Sequence, residues 1–270
     1  MTSDPRLDPV LGAIDYFPLE HYQRPGVYRR RIVTATAPGF AQADLEDDPH
    51  RHGVLIEHDG VQVVAVRGTA RRVPWTLCRG AVDVLGRLAG MALSPDPQAV
   101  YRHTDGRAQC THLLDLAGLA ISHAERGIAE RQYDIEVPCL DTRAPRQARL
   151  AVDGRERLVW TLQRTTIVAP ARYAGQDLPT MMPWVKQHIA DRDEFEAVIV
   201  LRRAVFTSGN RIYDMDRMTT AAATGHVSGA CHVFQHGVAE HALREKGSTL
   251  DFGARAVALL ADLEESPSCR

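Results

Sequence analysis

The stretch "AQCTHLLDLAGLAISHA", residues 108–124, places a thiol and an imidazole two positions apart, immediately before an apolar run. Leu113, Leu114, Leu116, Ala117, Leu119, Ala120 and Ile121 leave no polar stripe, so the run predicts a buried helix. Cys110 and His112 then stand at its N-terminus, where unpaired backbone N–H groups and the positive end of the dipole gather. That location favours thiolate over thiol and neutral imidazole over imidazolium, which suits a nucleophile or a general base. The ordinary alternative is a cysteine packed as a small hydrophobe and a histidine bonded to a backbone carbonyl.

A second polar group lies in "LEDDPHRHGVLIEHDG", with Asp47, Asp48, His50, His52, Glu57, His58 and Asp59 close together. Strand alternation would put His50 and His52 on one face, and such a pair can carry protons or ligate a metal. Against a metal stands the lack of an HExxH spacing, and the preferred expectation is a solvated acidic turn leading into a hairpin, with no metal. No GxGxxG, GxxxxGKS or GxSxG motif occurs, so a nucleotide cofactor and an ordinary serine hydrolase lack their signatures. No cofactor is expected.

Tyr101 and Arg102, in the loop "SPDPQAVYRHTD", could bind a phenol or an anion if that loop covers a pocket; otherwise they are surface. Glu194 and Glu196, in "DRDEFEAVIVLRR", fall at a helix start, where the macrodipole alone accounts for acidic residues. If two halves of the chain pack about a pseudo-twofold axis, these carboxylates would meet His112 at its centre. "GACHVFQHGVAEHA" brings Cys231, His232, His236, Glu240 and His241, and reads as a half-buried strand followed by a solvated helix.

These residues must be positioned by a chain of 270 residues, 44% apolar and 24% charged, long enough for a substantial core. A formal charge of −2 gives no broad attraction to nucleic acid or anionic lipid. Five scattered cysteines without a CxxC pair, no leader and no apolar run of spanning length point to a reduced cytoplasm. Residues 1–26, with Pro5, Pro9, Pro18 and Pro25, read as an extended arm. From Val27 the sequence predicts strands, then a hairpin at Asp59-Gly60, then two helices. The order recurs from residue 131, with a second hairpin at Asp153-Gly154. The expected fold is α+β, with antiparallel strands, helices on one side and two duplicated strand–strand–helix–helix halves, 27–130 and 131–270, packed as one unit.

The pieces "EDDPHRHGVLIEHDG", "VPWTLCRGA" and "CTHLLDLAGLA" together resemble a bacterial family of unknown function marked by a Cys-Thr-His-Leu segment. The likeness is best over residues 28–130. It implies an α+β domain of soluble bacterial proteins, often encoded near genes for the breakdown of aromatic or acyl compounds. It carries forward Asp48, His50, Cys110 and His112 as matched polar positions, and includes Trp75 in its middle piece. Arg79 stands where a proline after Cys78 is expected. Some longer, two-part members look like cofactor-free lyases acting on lignin-derived aromatics.

The expected function is therefore a cofactor-independent lyase working on a small aromatic or acyl molecule by acid–base chemistry, for instance releasing formaldehyde from a hydroxymethyl group. His112 or His50 is the expected base, Glu194 the acid, and Tyr101, Arg102, Asp48 and Trp75 bind substrate. Two alternatives stay open: a thioester or ester hydrolase or acyltransferase with Cys110 as nucleophile, and a non-catalytic aromatic-binding protein. A small molecule and a second copy of the chain are the partners this allows; nucleic acid and membrane are not expected.

Overall fold

The computed structural model describes residues 26–140, 144–212, 214–224, 229–253 and 259–264. The expected N-terminal arm, Gly26 apart, lies outside them. Eight strands form one sheet: β1 (Val27–Ala37), β2 (Phe40–Asp47), β3 (Arg51–His58), β4 (Val63–Arg72), β5 (Glu130–Pro138), β6 (Arg146–Val152), β7 (Arg155–Gln163) and β8 (Thr166–Ala169). Their order is β4-β3-β2-β1-β5-β6-β7-β8, and every pairing is antiparallel. Two meanders of four strands thus meet at the β1–β5 seam, where Ile32 stands opposite Tyr133.

Alternation decides which side chains enter the core. Tyr28, Arg30, Ile32 and Thr34 of β1 are buried, as are Tyr133, Ile135 and Val137 of β5, while Arg29 and Arg31 pair outward with Glu136 and Asp134. Three longer helices accompany the strands: α1 (Thr111–Arg126), between β4 and β5, and α2 (Met182–His188) and α3 (Arg192–Ser208), after β8. α1 packs on β1, β2 and β3, and α3 on β5, β6 and β7. Both lie on the same sheet face, since Thr34 of β1 reaches His123 of α1 and Tyr133 of β5 reaches Glu196 of α3. The molecule is α+β, with its sheet antiparallel and its helices to one side. Among the described residues no helix is long and apolar enough to cross a membrane.

Local sequence explains the ends of these elements. α1 stops at Gly127, whose φ of 65° is the left-handed conformation that glycine adopts without a steric penalty. α3 starts at Asp191, whose carboxylate accepts the Glu194 N–H at 2.7 Å. The two Asp-Gly turns hold different places in the strand order. Asp59-Gly60 joins β3 to β4, whereas Asp153-Gly154 joins β6 to β7, so they do not occupy matching positions of the two meanders. "CHVFQ" is not a strand: His232–Phe234 form a single 3₁₀ turn beside a small second core around Trp75, Met215, Met218 and Val233.

Candidate functional site: a histidine cluster behind a cleft

The β2–β3 turn gathers the polar residues. Asp47 ends β2, and its backbone N–H donates to the His50 carbonyl at 3.0 Å, closing a tight turn through Asp48 and Pro49. β3 then carries His52 inward, opposite Leu45 of β2. From across the core, the first turn of α1 brings His112. His50 and His112 have ring centroids 4.1 Å apart, and His50 and His52 5.2 Å. One ring nitrogen from each of the three lies within 4.8 Å of the others. His50 is 6% exposed and His52 1%, so the solvated acidic turn expected here does not exist.

The hydrogen bonds fix where the protons sit. Asp47 is fully buried and its carboxylate can only accept. It receives Tyr28 Oη at 2.6 Å, Arg30 Nη2 at 2.6 Å, the His50 backbone N–H at 2.9 Å and His50 Nδ1 at 3.0 Å. His50 therefore carries a proton on Nδ1. Burial works to raise the Asp47 pKa, but the charges of His50 and Arg30 outweigh it and hold the carboxyl well below its usual range. Thr207, in the last turn of α3, donates its only hydroxyl proton to the Arg203 carbonyl at 3.0 Å and accepts from Arg30 Nη2 at 2.9 Å. Its contact with His112 Nε2, at 3.2 Å, must then be donated by the histidine, leaving His112 Nδ1 as the bare nitrogen.

His52 Nδ1 is buried and has no hydrogen-bond partner. Burial, helped by the charge of His50, pushes His52 down to about 3. Burial, with the charges of His50 and Arg30, also holds His112 well below the usual histidine range. Both rings are neutral at pH 7. Three imidazoles gathered this closely are a donor set suited to a divalent transition metal as well as to proton transfer.

A cleft, partly open to solvent, lies between α1 and α3. Arg30 and His112 border it at the cluster end; Leu116, Leu119, Met182 and Ile199 form apolar walls. Asp115, Arg202 and Arg203 add a polar margin, where Arg203 Nε is bound to Asp115 at 2.6 Å. Arg202 donates only to the Leu178 and Pro179 carbonyls and lies over the Phe206 ring; among the described residues it has no carboxylate within salt-bridge distance. Burial pulls its pKa down to about 10.

Of the residues expected to form the site, His50 and His112 are brought together. Cys110 precedes α1 without capping it, and burial pushes its thiol up to about 12, reversing the expected effect of the helix N-terminus. Glu194 does not face His112: it accepts from Tyr173 Oη at 2.5 Å and Arg172 Nη2 at 2.9 Å. The α3 carboxylate that meets a histidine is Glu196, two positions further along the helix, and its partner is His123 at 3.1 Å. Tyr101 spends its hydroxyl on Asp115 at 2.6 Å, and Arg102 is an exposed partner of Asp96. Asp48 turns away from the cluster to pair with Arg211 and to accept the Phe252 N–H. Trp75 belongs to the second core, under the Arg244 guanidinium. Arg30, Tyr28 and Thr207 complete the site without having been singled out for it, and Asp47, noted only as a member of the polar turn, anchors it. The signal for two of them was the alternation Tyr28, Arg30, Ile32, which places a guanidinium on the apolar face of β1.

The fold and site define an α+β protein with a buried histidine cluster at one end of an apolar cleft. Residues 48–125 match the model of a family described as a protein of unknown function (DUF2889). The match spans β3, β4 and α1, and so includes all three histidines, but leaves out β1, Asp47 and α3. No curated protein matches the chain.

Proposed function

We propose that this chain is an enzyme that cleaves a small aromatic or acyl molecule by acid–base chemistry, as a lyase. The observation that supports it is that His112 belongs at once to the histidine cluster and to the wall of the cleft. Its Nε2–H is held by Thr207, so the bare Nδ1 is the acceptor, and burial keeps the ring neutral and able to accept. For a hydroxymethyl substrate the corner of the cluster at His112 takes the hydroxyl proton, the C–C bond breaks, and formaldehyde leaves. The same proton returns to the carbon that carried the group, so the step balances without an oxidant. Arg30 lies where it can stabilise the negative charge that develops meanwhile. Apolar walls suit a ring, and Arg202 suits an acidic substituent at the margin.

The test is a panel of hydroxymethyl-bearing phenols and aryl acids, with formaldehyde release as the readout. Release abolished in His112→Ala supports the reading. Binding of the same compounds without any turnover would replace it with a ligand-binding role. The thiol alternative is disfavoured by the raised pKa of Cys110.

A further inference from the structure

We propose that His50, His52 and His112 together hold one divalent first-row transition-metal ion, zinc being the best fit to three imidazoles. Three independent features converge. A ring nitrogen of each lies within 4.8 Å of the others, although the rings come from the β2–β3 turn, from β3 and from α1. Two of the rings have one nitrogen committed to the protein, His50 to Asp47 and His112 to Thr207. That is how metal-binding histidines are held, because an acceptor on the far nitrogen fixes the tautomer and leaves the near lone pair for the ion. Finally, His52 Nδ1 is a buried ring nitrogen with no partner, a cost that a ligand on its lone pair would remove.

Tetrahedral zinc, with nitrogens about 2.0–2.1 Å away, places them about 3.3 Å from one another. The widest pair here must draw in by about 1.5 Å, within reach of ring rotation. Arg30 does not oppose the ion with an unbalanced charge, because Asp47 holds it at 2.6 Å. His112 borders the cleft, so a fourth position reached from that side would take water or a substrate oxygen. The inference rests on the reading of this cluster as the working site and changes one role in it. With the ion bound, His112 is a ligand, and the group activated at its corner is an oxygen on the ion.

The experiment uses the untagged full chain, titrated with Zn²⁺ and separately with Co²⁺, with elemental analysis after gel filtration and the visible spectrum of the cobalt form. One ion per chain is expected. Asp47→Asn should weaken binding about 10- to 100-fold, and His52→Ala should weaken it further than that. His232→Ala, outside the cluster, should change nothing. No stoichiometric uptake by folded wild-type chain overturns the proposal, as does uptake unaffected by His52→Ala. If that variant fails to fold, nitrogen NMR of the wild-type histidine rings decides: zinc must shift three rings, and unshifted rings overturn the site. Ion uptake without turnover would leave the site and remove the lyase reading; turnover by a chain that takes up no ion would do the reverse.

Discussion

His112 Nε2 and the Thr207 hydroxyl, 3.2 Å apart, tie the first turn of α1 to the last turn of α3. Because Thr207 spends its own proton on Arg203, this one oxygen sets the tautomer of His112 and steadies Arg30. Thr207→Val keeps the shape but removes the acceptor, leaving two buried donors without it, and should cost about 1–3 kcal/mol of stability. Turnover should fall about 10- to 100-fold, as is usual when the outer partner of a working histidine is lost. Thr207→Ser should restore both in thermal melts and formaldehyde assays.

His112→Ala should reduce turnover about 100- to 10,000-fold, the range for loss of a general acid–base group. Circular dichroism should show a folded chain. Near-normal activity per folded molecule would make this helix start structural.

Cys110 should be slow to react. With its thiol pushed up to about 12, little thiolate exists at pH 8, and iodoacetamide should label the native chain far more slowly than the denatured one. Mass spectrometry of tryptic peptides gives the comparison, and Cys110→Ala should retain turnover.

Glu196 should make stability sensitive to acid. Burial opposes its ionisation, but His123, Tyr133 and Arg131 outweigh that and lower its pKa. A carboxylate depressed on folding contributes stability in full above the unfolded value of about 4.3, and loses it as pH falls through the folded value. Urea midpoints should therefore drop below about pH 4 in wild type, with a shallower drop in Glu196→Gln. At pH 7 that variant should be less stable by about 1–3 kcal/mol, because Arg126 and Arg131 keep Asp193 but lose the Glu196 charge.

Gly118 lets α1 lie against the loop at Pro97. A Cβ there would come within 2.2 Å of the Pro97 carbonyl oxygen, which backbone cannot easily yield. Gly118→Ala should cost about 1–3 kcal/mol by overpacking, read as a lowered melting temperature. Pro97 also lines the cleft, so KM should rise more than kcat falls.

Periodicity shows which way a side chain points, and that much was legible. The alternation in β1 to β4 and the apolar run of α1 predict strands, a buried helix and an α+β fold; the two histidines at spacing two do come together, 5.2 Å between ring centroids, but His50 does so from the turn and not from the strand. Partners were not legible. Asp47 and Asp48 are neighbours of the same type, and only the closed turn at His50 decides that Asp47 faces the histidines while Asp48 faces Arg211. Glu194 and Glu196 differ by two helix positions, about 200° of rotation, which sends one to Tyr173 and the other into the core. Thr207 lies 95 residues from His112, and nothing local in either segment announces the other. Burial also reversed the effect of position at Cys110: a helix N-terminus argues for a reactive thiol, but desolvation is the larger influence.

The β1–β5 seam has a consequence for the order of assembly. Strands β1 to β4 and helix α1 form one continuous run and contain Tyr28, Arg30, Asp47 and all three histidines. Such neighbouring hairpins form early, because short loops cost little closure entropy. Joining Ile32 to Tyr133 must close a loop of roughly a hundred residues, so docking of the second meander comes late. Thr207 arrives only with that second part. A half-folded chain would thus hold its histidines together yet leave His112 free to choose the wrong tautomer, and reactivity would be withheld until α3 had docked.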